Sequence, residues 1–387
     1  VIPLSEADLK RLENQHWETH SDFVGTQTVV RSWFGKRSQL ARRADGSCVF
    51  LSDDNRCRIH AEHGAAAKPL VCQMYPLQLV PHDKQVVLTL RRSCPSAAAD
   101  EGSPLTEHLR SVRRLAKQGG LLEQAVRAPA ITRNYRGSWS EALMVASSIE
   151  RLLTDERYPL VRRLVHGVRF CTLLEQCNLK RLEKGNLGEL LEILEESSRE
   201  DVGDLFRDRR MPRRAIAILF RQTAAEYLRL HSHYRATNSW RERWRLTRAA
   251  VSIARGRGTA PQFHATLPEV TFDALEQPLG HLSPEIQRPF VRLYEANACS
   301  LQYVIAARPG WSIIEAFRAF ALAYPVALWV LRWCSHGREP TPADAIEMVT
   351  IIDRGQGHRA LTGWNHRRRV ATIAQSGELE RMIVWYA

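Results

Sequence analysis

Lysine is scarce in this chain: 7 residues against 48 arginines in a total of 387. The net charge of +13 is therefore almost wholly guanidinium. Basic knots occur at Arg207–Arg214, Arg241–Arg248 and His366–Arg369, but arginine is otherwise spread along the whole length. That spread fits solvated helix faces better than one polyanion stripe, so nucleic acid is not expected as a partner. Long hydrophobic runs are also missing. The longest, Ala319 to Leu331, has thirteen residues between Arg318 and Arg332. A bilayer span needs roughly 20, so this run predicts a buried core helix and no membrane span. Repeats and low-complexity segments are lacking. So are a P-loop, HExxH, GxSxG and a GxGxxG after a strand, which leaves those nucleotide, metalloprotease and hydrolase sites without support. No charged n-region with an apolar core follows Val1. A cytoplasmic location is the expectation, together with residues missing upstream, because the opening VIPLSEADLKRL reads like the middle of a domain.

Cysteine is distributed unevenly. Of eight, Cys48, Cys57, Cys72 and Cys94 fall within 47 residues, spaced C-x8-C-x14-C-x21-C. Clustered thiols in a large chain point to a metal or redox site rather than a disulfide scaffold. Four thiolates close a tetrahedral zinc site or hold an iron–sulfur cluster, 4Fe–4S in preference. Soft sulfur suits both metals. The paired CxxC knuckles of zinc ribbons are absent. Cys72 follows Pro69 at the start of a short turn, where backbone N–H groups favour a thiolate. Arg56, Arg58, Lys68, Arg91 and Arg92 are expected to offset the charge of the four sulfurs. His60 and His63 are further ligand candidates or donors to sulfur. Cys171, Cys177, Cys299 and Cys334 lie in helical text and read as small buried hydrophobes. Carboxylates such as Glu195 and Glu196 read as exposed, and no acid–base pair stands out.

The period of the apolar pattern divides the chain. Residues 1–103 read as a small, loop-rich, cysteine-cluster domain with little core, which a bound metal would staple. It opens on a helix capped by Ser5, with Glu6 and Asp8 in the first turn. GSCVFL is a short strand candidate. CRIHAEHG is a helical turn ended by Gly64. Leu77–Val80 and Gln85–Arg92 flank a polar turn and predict a β-hairpin. From 104 to 387 the period is helical. Ser138 with Glu141 forms a capping-box pattern. Leu160, Leu164, Val168, Cys171 and Leu174 share one helix face. Pro284 and Pro342 sit at first helical positions. A Gly/Pro-rich stretch at 256–281 marks a sub-boundary within this all-α region. The fold class is thus mostly α, with a small irregular metal-stapled domain and its hairpin at the N-terminal end.

The residues around the thiols add a resemblance. Cys48, Phe50, Leu51, Cys57, Ile59, His60, Gly64, Lys68, Pro69, Cys72, Tyr75 and Pro76, with Cys94–Pro95 downstream, resemble the cysteine-cluster family described as a zinc- or iron-chelating domain, which includes the flagellin lysine N-methylases. The resemblance covers about the first quarter of the chain. It implies iron–sulfur or zinc bound by Cys48, Cys57, Cys72 and Cys94. It also implies S-adenosylmethionine as methyl donor and a protein lysine as acceptor, with no residue here identified as catalytic. The family pattern opens with a cysteine-rich run upstream of a segment like VIPLSEADLKRL. This sequence has none, which leaves ligand number and metal open. The alternative is a non-enzymatic, metal-stapled module that binds a protein partner.

Overall fold

The computed structural model describes residues 2–31, 38–43, 46–122, 126–182, 186–200, 202–231, 240–262 and 267–387. Strands are β1 (Pro3–Leu4), β2 (Val29–Arg31), β3 (Ser38–Leu40), β4 (Leu77–His82) and β5 (Gln85–Leu90). The first helices are α1 (Glu6–Glu13), α2 (Arg58–His63), α3 (Leu70–Met74), α4 (Pro95–Ala98) and α5 (Leu105–Gln118). Then follow α6 (Trp139–Leu153), α7 (Leu160–Gln176), α8 (Leu187–Glu200), α9 (Gly203–Arg207), α10 (Arg214–His231), α11 (Trp240–Arg255) and α12 (Phe272–Leu275). The chain closes with α13 (Pro284–Ser300), α14 (Gln302–Ile305), α15 (Ile313–Cys334), α16 (Pro342–Gly355), α17 (Arg359–Thr362), α18 (Trp364–Gln375) and α19 (Glu378–Tyr386).

These elements form two compact units. One holds Val1–Gln78 and Ser103–Gln124; the other holds Leu79–Gly102, Ala125–Ser232 and Ala236–Ala387. Where the sequence suggested one cut at 103, the chain exchanges segments. β5 and Cys94 belong to the helical unit, and α5 belongs to the first. The stretch 256–281 lies inside the helical unit, where Ala260 N–H bonds to Val270 O at 2.8 Å.

The first unit builds on an antiparallel sheet of order β1-β3-β2, with Pro3 opposite Gln39 and Val29 opposite Leu40. None of these strands was anticipated, because two or three residues are too few to show a period of 2. GSCVFL makes no strand; it gives two isolated bridges, Arg42 to Cys48 and Leu51 to Cys57, with a turn between them. Contrary to the expectation of little core, Leu12, Trp17, Phe23, Leu40, Val49, Phe50 and Ile59 cluster out of solvent. Trp17 meets Phe50 at 5.0 Å and Phe23 at 5.1 Å, both edge-on, an arrangement aromatic quadrupoles favour.

The second unit packs around α15, which touches α7, α10, α16, α18 and α19. By length and composition α15 could cross a bilayer, yet 94% of its apolar window is buried inside the protein. It is the core helix that the thirteen-residue run predicted, extended by buried Ile313, Ile314 and Phe317. Its start is fixed by Ser312. The Glu315 N–H donates to Ser312 Oγ at 3.2 Å, and Ser312 N–H donates to Glu315 Oε2 at 3.2 Å. Arg367 of α18 then clamps Glu315, with Nη2 to Oε2 at 2.6 Å. Ser312→Ala is expected to cost about 1 kcal/mol, read as a lower urea midpoint at unchanged m-value.

The capping box at Ser138 forms as expected, Pro342 sits at the start of α16 as expected with a further capping box at Thr341, and the Leu160–Leu174 stripe, Cys171 included, is buried. The hairpin is present: β4 and β5 turn at Asp83–Lys84, and its His82 ring bonds to Ser300 O at 2.8 Å. Two side-chain expectations fail. Glu195 is 5% exposed and bonds to Arg151 Nε at 3.2 Å, so it faces inward. Cys299, expected inside, is exposed. A short helical stretch gives only an approximate facing, and one residue's rotation decides it.

Candidate thiol site

Three of the four clustered cysteines come together in the first unit, each carried by a different local device. Cys48 follows the Arg42 bridge, and Val49 N–H bonds back to Ala41 O at 3.2 Å. The chain then folds over Ser52–Asn55, with Asn55 in the left-handed region at φ 61°. Asparagine tolerates that conformation in turns. Ser52 N–H to Arg56 O at 2.8 Å and Arg58 N–H to Phe50 O at 2.9 Å close the loop. This returns Cys57, bridged to Leu51, to the neighbourhood of Cys48. Cys57 is the N-cap residue of α2, and its side chain makes no capping bond.

Cys72 lies on α3, and α1 positions that helix. Asp8 Oδ1 accepts from Leu70 N–H at 2.9 Å, and Arg11 Nη1 donates to Lys68 O at 3.0 Å. Gln15 Nε2 adds a bond to Ala67 O at 2.9 Å. Burial raises the Asp8 pKa, but the bonds from Leu70 and Ser5 and the charge of Arg11 outweigh it, so the carboxyl sits below its ordinary value. The sequence reading took Asp8 for a first-turn acid on a helix dipole. Its larger task, seating the cysteine helix, lies 62 residues away in sequence, and local pattern gives no sign of it.

Cys48, Cys57 and Cys72 are each partly buried against the Trp17–Phe50 cluster. Burial pushes the Cys48 thiol up, against the Phe50 N–H that bonds to its sulfur. Burial first, then the neighbouring Cys48 and Cys57, pushes Cys72 up to about 11. The mutual influence shows that the three sulfurs share one electrostatic neighbourhood. At neutral pH Cys48 and Cys72 are thiols, so a metal taking them would release protons. Among the described residues, no three His, Cys, Asp or Glu side chains are set close enough to hold a metal ion. The donor chemistry suits a soft metal; the spacing as it stands is too open for a ready-made site.

The other expected participants are placed differently. Cys94 belongs to the second unit, as N-cap of α4 with Pro95 at the first helical position. Just before it, Ser93 N–H donates to Asp353 Oδ2 at 2.8 Å and Arg91 Nε to the same oxygen at 2.9 Å. Arg91 and Arg92 are thus committed elsewhere, Arg92 to Ala97 O at 2.5 Å. Arg58 pairs with Asp22. The cations that act on the thiols are Lys68, on Cys72, and Arg42 and Arg43, on Cys48. His60 and His63 are exposed on α2, the latter 5.4 Å from Trp17 edge to ring.

No family model, curated protein or solved structure matches this chain.

Proposed function

We propose that this protein binds a soft metal centre, zinc or iron–sulfur, through Cys48, Cys57 and Cys72, with Cys94 the fourth ligand expected from sequence. The observation that carries the proposal is the convergence of three partly buried thiols from three separate segments. Metal binding must draw these donors closer, and the short turns that carry them are easier to shift than a long helix. When bound, the centre supplies either a structural cross-link or redox capacity. The protein's own residues exclude water from one side, through Trp17 and Phe50, and seat Cys72 through Asp8 and Arg11.

The resemblance to the flagellin lysine N-methylases extends the proposal to methyl transfer from S-adenosylmethionine to a protein lysine. A structural staple that presents a protein-binding module is the second reading. It is favoured by the seating of the thiols directly on the aromatic core of the first unit.

The test is metal analysis of protein purified without oxygen, with an absorption spectrum, on wild type and on each single Cys→Ser variant. Stoichiometric metal is expected in wild type and at least a tenfold lower content, about 1.4 kcal/mol or more of binding, in Cys48→Ser, Cys57→Ser and Cys72→Ser. Cys94→Ser reports whether the fourth thiol is a ligand. Iron, sulfide and broad visible absorption lead to a methyl-transfer assay. One colourless zinc, with chelation unfolding the first unit, identifies the staple. Wild type without metal after anaerobic reconstitution sinks both readings.

A further inference from the structure

A cavity of about 680 Å³ opens between α10, α11 and α18. Every residue that lines it belongs to the helical unit. A volume of this size is ordinary for a small-molecule site. Part of its wall is apolar: Leu219 and Ala225 from α10, with Leu246, Ala250 and Ile253 from α11. Leu219, Ala225 and Leu246 are only half-buried, so apolar area remains there for a ligand to cover. A second cavity of about 490 Å³ adjoins the first and shares Glu226, Asn365 and Arg369 with it.

The rest of the lining is cationic. Among the described residues, Glu226 is the sole carboxylate on either cavity. Its Oε1 accepts from Arg369 Nη2 at 2.5 Å, and its Oε2 is out of solvent. Arg368 of the first cavity and Arg359 of the second are both exposed. Among the described residues, neither guanidinium makes an ion pair or a hydrogen bond. Arg368 is nevertheless held in place. Its guanidinium carbon lies 4.5 Å from the ring centroid of Trp364, which lines the second cavity. Trp364 is 67% exposed, so the stack is open to solvent. Stacking engages the flat face of a guanidinium and leaves its in-plane N–H groups for two oxygens of a carboxylate or phosphate. The His366–Arg369 knot, which in the sequence reads as a solvated helix face, thus borders a space that joins apolar wall to free positive charge. A purely polar ligand would leave that wall uncovered, and a purely apolar one would leave Arg368 and Arg359 unanswered.

We propose that this cavity binds a small anionic amphiphile, its apolar chain along Leu219, Leu246 and Ile253 and its carboxylate or phosphate end on Arg368, with Arg359 as the second cation. The site is independent of the thiols. The test is isothermal titration calorimetry on the full-length protein purified without oxygen. The probes are hexanoate, octanoate, decanoate, decyl phosphate, decanol and inorganic phosphate. Decanoate or decyl phosphate should bind at one site, at least about tenfold tighter than decanol or inorganic phosphate. Along the carboxylate series the affinity should rise about fourfold per CH₂. Tighter binding of decyl phosphate assigns a phosphoryl head, as on a lipid; tighter binding of decanoate assigns a carboxylate. Arg368→Gln should weaken the preferred probe at least about tenfold, and Arg368→Lys, which keeps the charge but not the fork, should weaken it less. Ala250→Trp should fill the cavity and abolish binding. Arg368 and Ala250 are both exposed, so the urea midpoint of each variant should match wild type. No saturable binding overturns the site. So does decanol binding as tightly as decanoate, inorganic phosphate binding as tightly as decyl phosphate, or an affinity unchanged in Arg368→Gln or in Ala250→Trp.

Discussion

Glu276→Ala is expected to destabilise the helical unit by about 3–5 kcal/mol. Glu276 and Arg221 are 6% and 7% exposed, and their side chains meet at 3.2 Å. The second carboxylate oxygen accepts from the Tyr386 hydroxyl, and the backbone carbonyl accepts from Trp385 Nε1 at 2.9 Å. One residue therefore fastens α19 and answers the charge of α10. Arg221 also donates to Ile253 O at 2.8 Å and Ala254 O at 3.0 Å, closing the end of α11. Gly256 follows at φ +59°, and a Cβ there would lie 2.4 Å from the guanidinium carbon. Truncating Glu276 leaves a buried cation with two of its three hydrogen-bond partners and without its counter-charge. The urea midpoint should fall sharply, and the double variant Arg221→Met/Glu276→Leu should recover most of the loss, because it removes the stranded charge. A single variant within 1 kcal/mol of wild type, roughly the size of a surface ion pair, would show the pair to be solvated after all.

The second large effect is on acid stability. His166 is fully buried on α7, its ring centroid 4.9 Å from that of Tyr158 in an edge-on arrangement. Arg162 Nε donates to His166 Nε2 at 3.4 Å, a bond that needs the neutral imidazole. Burial, then Arg162 and Arg199, lowers the histidine pKa to about 4. In the unfolded chain the same group titrates near ~6.5. As pH falls below that value the unfolded state takes up a proton that the folded state refuses. Stability is therefore complete above pH ~6.5 and declines to a total loss of about 3 kcal/mol by pH ~4. His82 and His366, both lowered by burial, act in the same direction. His166→Gln keeps an acceptor for Arg162 and removes the titration. Urea unfolding at several pH values should show a shallower slope in that variant between pH ~6.5 and ~4.5. Parallel slopes would mean that His166 is protonated in the folded protein.

The helical unit was largely legible because its signals are local. Ser138 and Glu141, Pro342 at a first helical position, and the apolar stripe through Leu160 and Leu174 act over one to four turns, and packing followed the pattern. The first unit was legible in its turns but not in its sheet. Pro3–Leu4 pairs with Ser38–Leu40 across more than thirty residues, Val29–Arg31 pairs with that same strand from nearby in sequence, and strands so short carry no periodic signature. The aromatic core was missed for a related reason: Trp17, Phe23 and Phe50 sit in irregular text, where no pattern announces a shared interior.

The sequence by itself determined the helical class of most of the chain, the hairpin before Cys94 and the clustering of thiols near one end. Spacing could not decide which thiols meet. That was settled by Asp8 and Arg11 gripping the start of α3 and by the bridges that return Cys57 toward Cys48. Tertiary structure alone also placed Cys94 in the other unit and brought Leu219, Leu246 and Arg368 from distant segments to one cavity. The physical reason is common to both. Helix propensity and capping are energies between near neighbours in sequence, whereas the surroundings of a thiol or a cavity guanidinium are set by residues that folding alone makes neighbours.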